Sequence, residues 1–234
     1  MHLPKTAGSA FRKLLEEQYG TDAAFCYHPE PRQVEENLRQ ALPKKPSLLA
    51  AHFDASQLNA ELRAAYKIVT FLRHPVERNI SHYLFVKHSP WPMHQELFRQ
   101  WQNFEGFLQS PFAQNFQCRF LSGYRLKDLT ISENELLQIS LEQLKTIDGL
   151  GITEFYEDSV WLLARRYHWK KLRPKKINES PHLEAAKNLQ QQYQSPLIRQ
   201  NMADLALYKE ALQRHFAERG KYWVWKKRLR RLGI

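Results

Sequence analysis

Apolar and polar positions follow two periods along this chain, and the switches between them mark its elements. From Ser9 to Tyr19 the residues Phe11, Leu14 and Leu15 recur at helical spacing, and Gly20 closes the segment. Thr21 to Tyr27 is a short apolar stretch readable as a strand, His28-Pro29-Glu30-Pro31 is a turn, and a polar helix follows from about Gln33 to Gln40. Ser47 to Ala51 runs apolar into His52-Phe53-Asp54 and predicts an inner strand. Ser56 to Ala65 returns to helical spacing through Leu58 and Leu62, and Lys67 to Leu72 is a β-branched apolar run. Strand, helix and strand in that order predict a right-handed crossover and a parallel sheet.

After Arg73 the pattern is helical again, with Val76, Ile80, Tyr83 and Leu84 on one face. Lys87 to Met93, with two prolines, His88 and Trp91, reads as a loop lining a cleft. Helical patterns follow over Glu96 to Leu108, Asn115 to Leu121 and Glu133 to Lys145. Gly149 to Thr153 reads as a short strand and Glu154 to Tyr167 as the helix after it. Lys170 to Lys176 is a basic loop, and the last helix carries Leu205, Tyr208, Leu212 and Phe216 and ends near Gly220. The expected fold is α/β, with a central, mainly parallel sheet flanked by helices in one domain over residues 1–234.

Two stretches carry candidate chemistry. In Pro4-Lys5-Thr6-Ala7-Gly8-Ser9-Ala10, Pro4 fixes an extended entry, Gly8 allows close backbone approach and Ser9 can cap the helix. Free N–H groups at a helix start beside Lys5 make an anion site. The spacing is not that of a Walker loop, because the lysine precedes the glycine. The strand Lys67 to Leu72 delivers Arg73 to its carboxyl end, and Arg73-His74-Pro75-Val76-Glu77-Arg78 leads into a helix carrying Ser81.

Together these stretches resemble the nucleotide-binding signature of the carbohydrate sulfotransferases, the family of the heparan sulfate 2-O- and 6-O-sulfotransferases and their bacterial relatives. The loop matches as His2-Leu3-Pro4-Lys5-Thr6-Ala7-Gly8-Ser9, and the second element as Phe71-Leu72-Arg73-His74-Pro75-Val76-Glu77-Arg78 with Ser81. Further stretches follow in the family's order: Asn115 to Leu121, Gly149 to Phe155 with Ser159, Lys176-Ile177-Asn178, and Asp204 to Tyr208. His74 stands where many members carry an acidic residue. The resemblance implies a P-loop-like sulfotransferase fold whose co-substrate is 3′-phosphoadenylyl sulfate, with no metal required. It places the 5′-phosphosulfate at Lys5, Thr6, Ala7, Gly8, Ser9 and Ala10, and the 3′-phosphate at Arg73 and Ser81. Lys175, Lys176 and Asn178 fall in a loop over the cofactor. It also places an apolar strand ahead of the loop, where this chain has Met1, His2 and Leu3, so a shortened form with its first strand truncated is expected.

Residue chemistry assigns the roles. Sulfuryl transfer to a hydroxyl needs an anchored donor, a base, and positive charge near the developing negative oxygens. Lys5 fits the last role, or is a solvated surface lysine. His52, closing an inner strand at the edge where ligands bind in open α/β sheets, is the candidate base; the alternative is a histidine bonded to backbone. His82 is the rival base, with His88 and His94 behind it. Arg73 either grips a phosphate or pairs with Glu77, and Arg119 either assists an acidic substrate or pairs with Glu154 or Asp158.

Composition narrows the partners. In 234 residues, 43% hydrophobic and 25% charged, one sizeable core is expected. The net charge of +11 favours polyanions but does not choose among them. No helix-turn-helix, zinc finger or ribonucleoprotein motif supports nucleic acid as a partner. The basic, aromatic tail over 220–234, from Lys221 through Trp223, Trp225 and Lys227 to Leu232, either docks on an anionic membrane or packs its tryptophans on the domain. Cys26 and Cys118 permit one disulfide at most and give no metal-ligand spacing, and a reducing compartment is the simpler reading; the expected location is cytoplasmic, or the Golgi lumen for a eukaryotic fragment. No apolar run of about eighteen residues and no leader pattern is visible. The expected activity is sulfation of a carbohydrate hydroxyl, on a glycan or glycolipid that is acidic in one version of this reading. The alternatives are a non-catalytic binder of nucleotides or polyanions, and a nucleotide-dependent kinase, against which the absent Walker spacing weighs.

Overall fold

The computed structural model describes residues 1–27, 31–52, 60–124, 130–170 and 182–231, with the backbone alone for residue 31 and residues 222–231. The chain runs α1 (Gly8–Tyr19), β1 (Ala23–Cys26), α2 (Pro31–Ala41), β2 (Leu48–Ala51), α3 (Ala60–Ala65), β3 (Val69–Leu72) and α4 (Pro75–His88). Then come α5 (Pro92–Trp101), α6 (Phe104–Leu108), α7 (Phe116–Ser122), α8 (Glu133–Lys145), β4 (Gly149–Ile152), α9 (Tyr156–Arg166), α10 (Leu183–Arg199) and α11 (Met202–Arg231). The class is α/β and helix-rich, with small parallel sheets between helices.

The expected single sheet is corrected to two parallel pairs among the described residues. β1 pairs with β2, from Ala23 opposite Leu48 to Cys26 opposite Ala51, and β3 pairs with β4, from Val69 opposite Gly149 to Leu72 opposite Ile152. What separates β2 from β3 is the start of the chain. The His2 amide donates to Ala51 O at 3.0 Å and the Met1 amino group donates to Val69 O at 3.2 Å, while Leu3 is fully buried. So few residues join the pairs at one end without forming a ladder. His52, Arg73, Thr153 and the loop from Pro4 therefore leave the strands at one shared edge, the carboxyl edge where ligands bind in such sheets.

Hydrophobic burial fixes the helices around this frame. Val76, Ile80, Tyr83 and Leu84 of α4 are buried as their spacing predicts, packing with Trp101, Phe104, Phe107 and Leu197. Leu3, Ala51, Leu72 and Ile152 share a second cluster with Leu136 of α8 and Leu207 of α11, and Leu14, Phe71, Tyr156 and Val160 form a third. In the third cluster a Cβ on Gly151 would come within 2.3 Å of the Phe71 ring, so that position must stay bare.

Several helices differ from expectation. The span Glu96 to Leu108 is two helices, because Gln102 turns left-handed (φ 63°) and Asn103 caps α6 by accepting from the Gly106 amide at 2.8 Å. α11 continues past Gly220, which lacks the left-handed backbone that makes glycine a stop. α10 has no counterpart in the sequence pattern. Its apolar stripe is narrow, and Pro196 inside it removes an N–H donor and crowds the carbonyl four residues back, which hides the helix from the pattern.

Candidate functional site

The loop is shaped by two non-glycine residues in left-handed backbone, Lys5 (φ 71°) and Ala7 (φ 68°), and tied by Thr6, whose buried hydroxyl donates to Leu3 O at 2.8 Å. The first α1 amide with a backbone acceptor is that of Phe11, bonded to Ala7 O at 3.0 Å. The amides of Gly8, Ser9 and Ala10 are thus the donors a helix start leaves over. Ser9 does not cap the helix as expected: α1 begins one residue earlier, the boundary residue is Ala7 with no side-chain oxygen, and Ser9 is exposed in the first turn. Gly8 is required by close approach, because a Cβ there would lie 1.7 Å from the His2 ring.

Cations converge on this loop. Lys5 Nζ lies 4.1 Å from the centre of the Phe85 ring, and burial, then the charges of Arg73 and Arg78, bring its pKa down to about 8. Arg73 follows β3 directly, its Nη1 donating to Lys5 O at 3.4 Å and its Nη2 to Glu77 Oε2 at 3.2 Å. The ion pair considered from the sequence is therefore present. Ser81 lies one turn beyond Glu77 on α4, half-buried on the face that Arg73 reaches. Arg78 is wholly buried, with Nη1 donating to Phe112 O and Asn79 Oδ1, each at 2.8 Å, and its guanidinium 3.7 Å from the Phe116 ring centre. Burial lowers its pKa to about 9. Among the described residues, Arg73 Nε and Arg78 Nε and Nη2 are buried without an acceptor. Left-over amides and unsatisfied guanidinium donors beside a half-buried lysine fit a polyanionic ligand.

Polar clamps behind the loop hold this geometry. Gln117 grips the end of β3 twice, accepting from the Arg73 amide at 3.0 Å and donating to Arg73 O at 2.8 Å. Asp204 accepts from the amides of Gln117 (3.0 Å) and Cys118 (2.7 Å), capping α7. Burial pushes the Asp204 carboxyl up, against those two bonds and Arg78. Glu154 accepts from the His74 amide and from the Tyr208 hydroxyl, both at 2.8 Å, and Asp158 pairs with Arg219 at 3.1 Å. Arg119 is buried, its Nε donating to Gln114 O at 3.3 Å. Cys26 and Cys118 are free and buried.

The histidines occupy different surroundings. His52 leaves β2 at the ligand edge with Nδ1 2.9 Å from His2 O. A carbonyl only accepts, so the proton sits on Nδ1 and Nε2 is the basic nitrogen. Its ring stacks on His2 (4.6 Å) and meets Tyr27 edge-on (4.8 Å), and burial lowers its pKa. His82, the rival base, is 9% exposed among Phe112, Phe116, Trp101 and Phe107; burial, then Arg78 and Lys5, hold its pKa well below the usual value. An acceptor hydroxyl has no path to it. His94 Nδ1 lies 2.6 Å from Ser89 Oγ with the ring against Phe85, and His88 stacks on His182.

The structure thus brings Arg73 to Lys5 in the loop that runs to Ala10, with His52 following β2 at the same edge, while Ser81 lies on α4 one turn beyond Glu77. Lys175, Lys176 and Asn178 lie outside the described residues. Sequence reasoning gave no role to His2, Tyr27, Phe85, Gln117 or Asp204, although His2, Gln117 and Asp204 stand in stretches singled out by resemblance. No protein-family model matches the chain, and no curated protein matches it.

Proposed function

We propose that the chain is a sulfotransferase of the carbohydrate type, with the P-loop-like fold of that family, moving a sulfuryl group from 3′-phosphoadenylyl sulfate to a carbohydrate hydroxyl. One observation carries the reading: Arg73 meets Lys5 on a loop of left-over helix-start amides at the carboxyl edge of parallel strands, with the charge of buried Arg78 near enough to act on Lys5. That set has the charge for a ligand bearing several anionic groups.

In this reading the amides of Gly8, Ser9 and Ala10 hold the 5′-phosphosulfate, and Lys5 neutralises the oxygens that gain charge. Arg73 and Ser81 take the 3′-phosphate, for which Arg73 must release or share Glu77. His52 Nε2 removes the acceptor proton as the acceptor oxygen bonds to sulfur. The bond from sulfur to the 5′-phosphate oxygen breaks, and 3′-phosphoadenosine 5′-phosphate leaves with the electron pair. Every step is positioning, proton transfer and charge stabilisation.

The test is transfer of labelled sulfate from the donor to a panel of polysaccharides and glycolipids, by wild type and His52→Ala. Label on an acceptor with wild type alone supports the reading. Tight donor binding with no transfer to any acceptor, and none to water, favours the non-catalytic binder instead.

A further inference from the structure

The corner where α4 meets α5 presents an aromatic ring and an imidazole that the donor site leaves unused. Phe85, in the last turn of α4, is 44% exposed. A single exposed ring needs no explanation by itself, but this one is tied to the loop: Lys5 Nζ lies 4.1 Å from its centre. His94, in the first turn of α5, meets the same ring edge-on, with centres 5.1 Å apart.

The imidazole is held from behind. Its Nδ1 lies 2.6 Å from the hydroxyl of buried Ser89, which also accepts from the Trp91 amide at 3.4 Å. Nε2 is left without a hydrogen bond among the described residues. Burial, and then the charge of Lys5, lower the His94 pKa, so near pH 7 the ring is neutral and suits a hydroxyl better than a carboxylate. The charge of Lys5 also acts on His52, so both imidazoles stand within reach of its field. An apolar ring face beside one fixed polar nitrogen is what a sugar can use, packing its C–H groups on the aromatic and bonding a hydroxyl to the nitrogen.

We infer that Phe85 and His94 form the subsite for the acceptor sugar, a pyranose that lays its C–H face on Phe85, bonds one hydroxyl to His94 Nε2 and turns another toward Lys5. The inference rests on the sulfotransferase reading for which hydroxyl reacts, whereas the sugar contacts themselves stand on the corner alone. Adenine is the competing occupant of an aromatic ring. With Arg73 and Ser81 on the 3′-phosphate and Lys5 on the sulfuryl end, adenine has no call on Phe85.

The test is direct binding, which needs no turnover. Hexasaccharides of β-1,4-linked glucose, of β-1,4-linked N-acetylglucosamine and of alternating glucuronate and N-acetylglucosamine are titrated into the full chain, with and without 3′-phosphoadenosine 5′-phosphate. The ring signals of Phe85 and His94 are followed by NMR. At least one sugar is expected to bind and to shift both rings. Phe85→Leu, which keeps the bulk without the aromatic face, and His94→Gln should each weaken that sugar about tenfold, and Phe85→Trp should retain it. Nucleotide affinity should stay within about twofold in all three variants. No binding by any of the three sugars overturns the inference, as does binding that leaves both rings unshifted in the wild type, a result that needs no variant to fold. A variant that loses nucleotide as steeply as sugar would give Phe85 to the donor, which also overturns it. Failure of the sulfotransferase reading looks different: the nucleotide shows no preference for its 3′-phosphate, while the sugar still binds and still shifts both rings.

Discussion

Lys5 makes the site pH-dependent in a direction that can be worked out. Its pKa in the folded chain is about 8, against 10.5 for a free lysine, with burial first and then Arg73 and Arg78 as the causes. That lowering is worth roughly 3 kcal/mol against the ammonium form. A dianionic group bound about 4 Å away returns more than that, on the order of 8 kcal/mol at surface-like screening, so the bound complex keeps the ammonium. Below pH 8 Lys5 is already charged and binding is flat; above it, binding must take up a proton, and affinity falls toward tenfold per pH unit. Between pH 7 and 9.5 the expected loss is about thirtyfold. The ligand's phosphates are fully ionised over this range and add nothing to the slope. The assay is titration calorimetry with 3′-phosphoadenosine 5′-phosphate across that range, in buffers of different ionisation enthalpy, with circular dichroism confirming the fold at each pH. Lys5→Met should bind more weakly and without the slope. Constant wild-type affinity to pH 9.5, or an unchanged slope in Lys5→Met, would refute the assignment.

His52→Ala is expected to cut transfer by about a hundredfold or more while leaving nucleotide affinity within about twofold, read by single-turnover kinetics beside calorimetry. Because burial lowers the His52 pKa, the rising limb of the pH–rate profile should lie below pH 6.5; a limb above 7 contradicts the role. Gly151→Ala drives a methyl into the Phe71 ring and should cost about 1–3 kcal/mol in urea unfolding, with little loss expected if that ring moves freely. Asp204→Ala removes the acceptor of two α7 amides beside buried Arg78 and should cost about 3 kcal/mol or more, with Asp204→Asn intermediate; a cost near zero would show that the clamp is dispensable.

What was legible in the sequence was what short-range patterns encode. The strand before Arg73 and the buried face of α4 follow from apolar periodicity, and the turn ahead of α1 from its loop residues. Ser9 misled because capping depends on which residue ends the loop, and left-handed Ala7 set that boundary one residue early. His2 entered only as the first residue of the matched loop, because its contact with His52, on which it stacks, is fifty positions away. Gln117 and Asp204 act through backbone groups of residues distant in sequence, which no spacing reveals. The inner strand was recognisable, but its neighbour on one side is the first two residues of the chain, and that pairing depends on the tertiary structure alone.

The central claim is that this edge binds a nucleotide carrying a 3′-phosphate. Titration with 3′-phosphoadenosine 5′-phosphate beside adenosine 5′-phosphate and ATP tests it most directly. The account predicts micromolar binding selective for the 3′-phosphate and a sharp drop in Arg73→Ala, where the guanidinium now bonded to Glu77 is gone. Equal affinity for all three nucleotides, or selectivity that persists without Arg73, would contradict it.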